Sequence, residues 1–308
     1  MSNIATRQTY GKTLVELGEK YDNLVVMDAD LSKSTMTYDF SQAFPERFFN
    51  MGIAEQNLYG AAAGLAISGK VVCASTFAMF AAGRAYEIIR NSIGYTKANV
   101  KICATHAGIT VGEDGASHQT FEDIALMRAI PAMTVVNPGD GVSAKILLEK
   151  VIEFEGPAYV RLGRAAVPVF YDENADIQIG KGNCIRDGKD VTVIATGIMV
   201  SKALAAAETL AKKGIDVRVI DMHTIKPIDK DIIIKAARET KGIVTAEEHS
   251  VIGGLGSAVA EVTSANHPAK LAFVGQDDTF GESGKPDELL VKYGMTEDDI
   301  VRACEGIL

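Results

Sequence analysis

Short apolar runs rich in valine and isoleucine recur along the chain, and longer amphipathic stretches fill the intervals between them. The runs predict strands at Leu24–Met27, Lys70–Cys73, Val100–Ala104, Met133–Val136 and Ala158–Arg161. Helical spacing of apolar positions predicts helices at Thr6–Tyr21, Glu55–Ala66, Phe77–Ile93, Phe121–Ile130 and Asp140–Glu153. Strands that alternate with helices form a mostly parallel sheet covered on both faces. The texture changes after Arg164. Residues 165–190 hold Pro168, Gly180, Gly182 and Gly188 among charges, with no helical period, and read as a linker or an edge hairpin. A second alternation follows, with strands at Val191–Ala195, Asp216–Asp221, Gly242–Ala246 and Lys270–Val274. Its helices are expected at Val200–Lys213, Asp229–Thr240 and Leu255–Ser264. Gly214, after Lys212 and Lys213, is a helix stop. The expected fold is α/β with two domains, each a mostly parallel sheet with helices on both faces. The first domain spans 1–165, a linker 166–190, and the second domain 191–308.

The stretch from Leu58 to Gly83 carries no charge except Lys70, which divides it into 12 and 13 residues. Each part is shorter than the ~20 residues a membrane-spanning helix needs. A buried helix, then Lys70, then a buried strand accounts for it. The opening residues MSNIATRQTYGK have no apolar core of the kind a signal peptide carries. No membrane association is expected.

Composition narrows the classes further. A chain of 308 residues fits two domains at about 100–200 residues each. With 47% hydrophobic and 23% charged residues it resembles an ordinary globular enzyme. The formal net charge of -9 argues against a non-specific nucleic-acid or anionic-membrane binder, while leaving small anionic substrates open. Cys73, Cys103, Cys184 and Cys304 form no CxxC pair, so neither a zinc site nor a disulfide framework is expected, and a reducing, cytoplasmic setting fits.

Candidate chemistry concentrates in a few places. The segment ATHAGITVGEDGASHQ (104–119) places His106, His118, Glu113 and Asp114 among glycines just after an apolar strand, where open parallel sheets bind ligands. It contains no compact histidine repeat that would ligate a metal. Glu55 opens a helix that is otherwise small and apolar. It reads either as a carboxylate complementing the helix dipole or as a buried carboxyl able to hold and give a proton. Phe77 and Phe80, three apart in an expected helix, read as core or as a platform for a flat ring. Arg7, Ser34 and Arg164 are scattered polar groups, and arginine is the favoured fork for phosphate. GGLGSA (253–258) lacks the third glycine of a dinucleotide turn and reads as a tight turn between strand and helix.

Taken in order, ATR (5–7), ADLSKS (29–34), GIAEQ (52–56), STFAMF (75–80) and the ATH…GEDGASHQ loop resemble the C-terminal half of transketolase, a thiamine diphosphate enzyme. The resemblance runs through the whole chain and is strongest in residues 1–165. It implies a pyrimidine-binding domain followed by the family's C-terminal domain. It also implies that the active site forms between chains, with the diphosphate and Mg²⁺ held mainly by a separate N-terminal, diphosphate-binding subunit. Gly139–Gly141 reads GDG, but no asparagine follows at the family's spacing, so that half of the site is expected on another polypeptide. By the same resemblance Glu55 matches the catalytic glutamate that donates a hydrogen bond to N1′ of the aminopyrimidine. Phe77 and Phe80 would pack on that ring, and Asp30 would lie near the thiazole. His106 and His118 would act in catalysis, His118 by moving protons on substrate hydroxyls. Asp114 would recognise a sugar hydroxyl. Arg7, Ser34, His106 and Arg164 would line the sugar-phosphate end. The implied reaction moves a two-carbon glycolaldehyde unit from a ketose phosphate to an aldose phosphate, in an assembly with two copies of each chain. Other readings are a deoxyxylulose-phosphate synthase-like subunit, suggested by GIAEQ, a 2-oxoacid dehydrogenase β-like subunit, or a non-catalytic paralogue.

Overall fold

The computed structural model describes residues 3–308. In chain order the strands are β1 (Asn3–Ala5), β2 (Leu24–Asp28), β3 (Phe48–Asn50), β4 (Val71–Phe77), β5 (Val100–Thr105), β6 (Thr134–Val136) and β7 (Ala158–Arg161). Then come β8 (Ala166–Pro168), β9 (Asn183–Arg186), β10 (Val191–Ala195), β11 (Val217–Asp221), β12 (Thr224–Lys226), β13 (Ile243–Ser250) and β14 (Leu271–Gln276). A seven-stranded sheet runs β12-β6-β7-β5-β4-β2-β3 and a five-stranded sheet β14-β13-β10-β11-β9. Within each, only the outermost pairs β12–β6 and β11–β9 are antiparallel. The α/β fold with two mostly parallel sheets stands.

Central strands are buried and mostly apolar because both faces are covered. Along the fully buried β4, Val72 and Ala74 face a cluster with Leu58 and Ala62 of the helix Glu55–Ile67. Val71 and Cys73 face the opposite way, onto Tyr10, Leu14 and Leu17 of the helix Thr6–Lys20. In the second sheet Val193 and Val219 pack on Ala203 and Leu210 of the helix Met199–Ala211, and on Ile300 and Cys304 of the helix Glu297–Ile307. Ile194 and Ile220, on the other face, belong to the cluster that contains Val135 and Tyr159 of the first sheet. The two sheets therefore share one core.

The chain closes with helices Pro286–Lys292 and Glu297–Ile307, which the sequence analysis did not expect, and three further features differ from the sequence expectation. The expected helix Phe77–Ile93 does not begin at Phe77. The buried, β-branched run holds the chain extended through Phe77, and the helical turns that follow include wide π turns at Phe80–Arg84 and Ile89–Tyr95. Residues 166–190 contain no hairpin, because β8 pairs with β1 and β9 with β11. This connection is docked, not loose. The Phe170 and Tyr171 amides donate to Asp140 Oδ2, each at 2.9 Å, and the Tyr171 hydroxyl donates to Asp221 at 2.9 Å. Finally β12, a strand the sequence did not lead one to expect, is an edge strand of the first sheet. Lys70 does separate a buried helix from a buried strand, as the charge pattern indicated, and among the described residues no helix is long and apolar enough to cross a membrane.

Candidate active site

Because β2, β4, β5 and β7 run parallel, the residues that follow them collect at one edge of the sheet. Asp30 follows β2, Phe77 ends β4, His106 follows β5 and Arg164 follows β7, while Glu55 opens the helix that comes after β3. This is the edge at which open α/β sheets bind ligands.

The turn after β2 is built on Asp28. Its buried carboxylate accepts the Leu31 amide at 2.6 Å and the Thr35 and Thr37 hydroxyls at 2.6 and 3.0 Å. Burial raises its pKa, and these donors oppose the rise. Asp30 takes a left-handed backbone conformation (φ 65°) and is held by Asn50, which accepts from the Asp30 amide and donates to the Asp30 carboxylate. Asp30 itself is exposed.

Glu55 is 3% exposed at the first turn of its helix. Arg84 Nη1 donates to both carboxylate oxygens, at 2.9 and 3.0 Å. The Arg84 guanidinium also lies 4.6 Å from the Phe80 ring centroid. Phe80 and Phe77 stack at 5.9 Å and 11°, so the pair survives although the two residues do not share a helix. His106 stacks on Phe77 at 3.9 Å, and His118 stands edge-on to Phe80 at 5.3 Å. A continuous chain of contacts thus runs from Arg84 and Glu55 through two phenylalanines to two histidines.

His106 is buried and also left-handed (φ 56°). Burial, with the nearby charges of Arg7, Arg164 and His118, pushes its pKa down to about 3, so the ring is neutral near pH 7. Arg7 Nη1 donates to the Ser34 carbonyl at 2.7 Å, and its buried Nε has no partner among the described residues. Burial and the Arg164 charge lower the Arg7 pKa. Arg164 donates to the Val111 carbonyl and, at 3.1 Å, to the Glu113 carboxylate. Asp114 stands exposed on the same loop. The structure therefore gathers Glu55, Phe77, Phe80, His106 and His118, sets Arg7, Ser34 and Arg164 beside them, and leaves Asp30 and Asp114 at the margins. Sequence reasoning missed Arg84, Asp28 and Asn50. Arg84 was the findable one, as the single cation in the Ala- and Gly-rich run Ala78–Ala85.

Asp140 of the GDG segment has a structural role. It caps the helix Gly141–Glu153 by accepting the Ser143 amide at 2.8 Å. Among the described residues no group of three His, Cys, Asp or Glu side chains could hold a metal ion.

Comparison with known proteins agrees with this geometry. The transketolase pyrimidine-binding domain family matches residues 2–169, and the transketolase C-terminal domain family matches residues 180–300. The chain belongs to the transketolase family. It is 56% identical to a putative transketolase C-terminal section of Methanocaldococcus jannaschii, over 96% of this chain and 94% of that protein. It is 42% identical to a 6-deoxy-6-sulfo-D-fructose transketolase subunit of Clostridium sp., over 98% of this chain and 94% of that subunit. Against the transketolase of Rattus norvegicus the identity is 39% over 99% of this chain, but only 49% of the rat protein is covered. The solved structure of a split gene transketolase, an inactive beta4 tetramer, superposes with a TM-score of 0.93 at 57% identity, over 99% of this chain and 98% of that one. As a transketolase homologue the chain corresponds to the pyrimidine-binding plus C-terminal half, and the family's cofactor is thiamine diphosphate. The donor set fits the aminopyrimidine end of that cofactor, since a buried carboxyl and two stacked aromatic rings are the groups that bind a flat, hydrogen-bonding heterocycle.

Proposed function

We propose that this chain is one subunit of a two-component transketolase. In this reading residues 1–165 form the pyrimidine-binding domain, 166–190 the connection and 191–308 the C-terminal domain. Thiamine diphosphate lies between this chain and a separate N-terminal, diphosphate-binding subunit that holds most of the Mg²⁺ coordination. The reaction carries a glycolaldehyde unit from a ketose phosphate to an aldose phosphate. The observation that carries the proposal is the contact chain from Glu55 through Arg84, Phe80 and Phe77 to His106 and His118, at the carboxyl edge of a parallel sheet.

When bound, thiamine diphosphate supplies the carbanion chemistry that a two-carbon transfer requires. The residues of this chain do the rest. Glu55 holds and returns a proton at its carboxyl, screened from water by its burial. Phe77 and Phe80 orient the ring. His106, kept neutral and bonded through Nδ1 to the Thr105 hydroxyl at 2.9 Å, has its Nε2 left for a hydrogen bond with a substrate hydroxyl, and the half-buried His118 faces the same aromatic platform. Arg7 has an unpartnered Nε, and with Arg164 it makes a cationic end suited to a sugar phosphate. The same pair would also accept a sulfonate. The similarity to a 6-deoxy-6-sulfo-D-fructose transketolase subunit supports that second substrate class.

Self-association is part of the proposal. Ile53, beside Glu55, is 79% exposed and Tyr95 is 89% exposed, as expected of surfaces that other chains cover. The tetramer of the split gene relative supports association of this chain with itself. In the active assembly two copies of each chain are expected, related by a two-fold axis.

The test is reconstitution. The chain alone, with Mg²⁺ and thiamine diphosphate, should transfer no glycolaldehyde unit between a ketose phosphate and an aldose phosphate. Adding a chain that carries the diphosphate-binding half should produce both activity and a larger mass by light scattering. Full activity from this chain alone would refute the two-component reading.

A further inference from the structure

The loop that carries His106, Asp114 and His118 is gripped by the far half of the chain. Glu248 on β13 is 3% exposed, and its Oε1 accepts the Thr110 amide at 2.7 Å. Gly108 lies against the same carboxyl group. Its φ is +82°, and a Cβ there would collide with the Glu248 side chain, so only glycine fits. Arg161 secures Glu248 from behind, donating from Nη2 to the Glu248 carbonyl at 2.9 Å while its Nε pairs with Asp123 at 2.8 Å. Gln119 closes the loop by donating to the Glu282 carbonyl at 2.9 Å.

The loop cannot set its own shape. His106 holds a left-handed conformation that costs a non-glycine residue about 1–2 kcal/mol, and such strain persists only where surrounding contacts over-determine it. Residue 111, next to Thr110, presents the carbonyl that Arg164 binds. A shift at Thr110 therefore reaches both the histidines and the cationic end. A buried carboxylate is a poor way to strengthen a core, since apolar side chains of similar size do as well or better. Its value here lies in direction, because it fixes one amide in one place.

We infer that Glu248 is a positioning residue for substrate binding: through Thr110 and Gly108 it places the His106–Gln119 loop, and the C-terminal domain thereby tunes affinity for the sugar phosphate without touching it. The inference rests on the proposed reading of that loop as the substrate end of a transketolase site.

The experiment uses the reconstituted two-chain enzyme. Glu248→Asp retracts the carboxylate by one methylene, and Glu248→Gln keeps an oxygen within reach of Thr110. Glu247→Gln is the control, since Glu247 caps the helix Leu255–Asn266 through the Leu255 and Gly256 amides. Glu248→Asp should raise KM for an aldopentose phosphate by up to about ten-fold, the range for loss of one hydrogen bond, with a smaller change in kcat. Amide exchange across 108–115 should quicken, while the Kd for thiamine diphosphate stays put. Glu248→Gln should restore KM to near wild type. Glu247→Gln should lower Tm and leave KM unchanged. A Glu248→Asp enzyme with wild-type KM and only a lower Tm overturns the inference, and so does a parallel loss of cofactor affinity. Absence of turnover in the reconstituted wild type overturns the transketolase reading, and this inference with it. That arm separates the two failures.

Discussion

Glu55 shares its carboxylate with a guanidinium before any ligand arrives. If Glu55 carries the proton as proposed, Glu55→Gln removes that function but keeps the shape, so turnover of the proposed two-chain enzyme should fall by about 10²–10⁴ with an unchanged far-UV spectrum. Retention of near wild-type donor cleavage would remove Glu55 from the mechanism. Arg84→Ala leaves a buried carboxylate without its cation. Because Arg84 is about half exposed, the cost should be about 1–2 kcal/mol, read by urea unfolding of the chain. At the cationic end, Arg7→Ala and Arg164→Ala should each raise KM for erythrose phosphate about ten- to hundred-fold while barely moving that for erythrose. Equal effects on both sugars would sink that role. Motif spacing pointed to the glutamate, the two phenylalanines and the two histidines, which the fold gathers. Of the charges that hold them, only Arg84 left a sequence signal, and that signal did not show its partner. Arg84 reads as one solvated cation in a helix, and a wide turn brings it back over Phe80. Asp123, Arg161 and Glu248 look like surface charges until distant strands bury them together.

The alternating elements of residues 1–280 were legible to within a few residues, because a strand buried on both faces writes a mostly apolar run. What failed was local. Ser75, Thr76 and Phe77 extend β4 beyond its valines, and nothing in periodicity distinguishes that from the start of a helix. β12 is three residues long, too short for any pattern, and its partner β6 lies far away in sequence. Asp140 also escaped notice as an architectural residue. It caps one helix and accepts two amides of the 166–190 connection. Asp140→Ala should therefore cost more than the about 0.5–2 kcal/mol of an ordinary cap, since it strands two further, partly buried donors. Chemical denaturation can measure that excess. A loss no larger than an ordinary cap would mean that the connection is held elsewhere.

Across the whole molecule, buried ionisable groups set a pH optimum for stability. Burial pushes Asp221 up to about 8 and Glu247 to about 7, and it pushes His223 and His249 down to about 4 and His106 to about 3. In the unfolded chain the carboxyls titrate near pH 4 and the histidines at about 6.5. Above about pH 7 the histidines are largely neutral in both states, while Asp221 keeps its proton only in the fold and Glu247 is still releasing its own. The fold then binds more protons, and stability falls as pH rises. Below about pH 6 the histidines protonate only in the unfolded chain, so stability falls with acid, opposed in part by the same carboxyls. Tm should peak near pH 6–6.5. Asp221→Asn, which still accepts from Tyr171, should flatten the alkaline decline, and an unchanged slope would exclude Asp221 as its source. Because the two sheets share a core, calorimetry should record a single unfolding transition.

The placement of β12 also has a consequence in time. The first sheet acquires its outermost strand from residues that leave the ribosome about 60 positions after β7. At about 5–20 residues per second, that is a delay of roughly 3–12 s. Throughout that interval β6 presents an open edge, the kind of template on which nascent chains stick to one another. Lys226, whose ammonium closes onto the Arg128 and Ile130 carbonyls, is the last residue of the strand that ends this exposure. Slowing translation between codons 162 and 224 should therefore lower soluble yield, although it changes no residue of the finished protein.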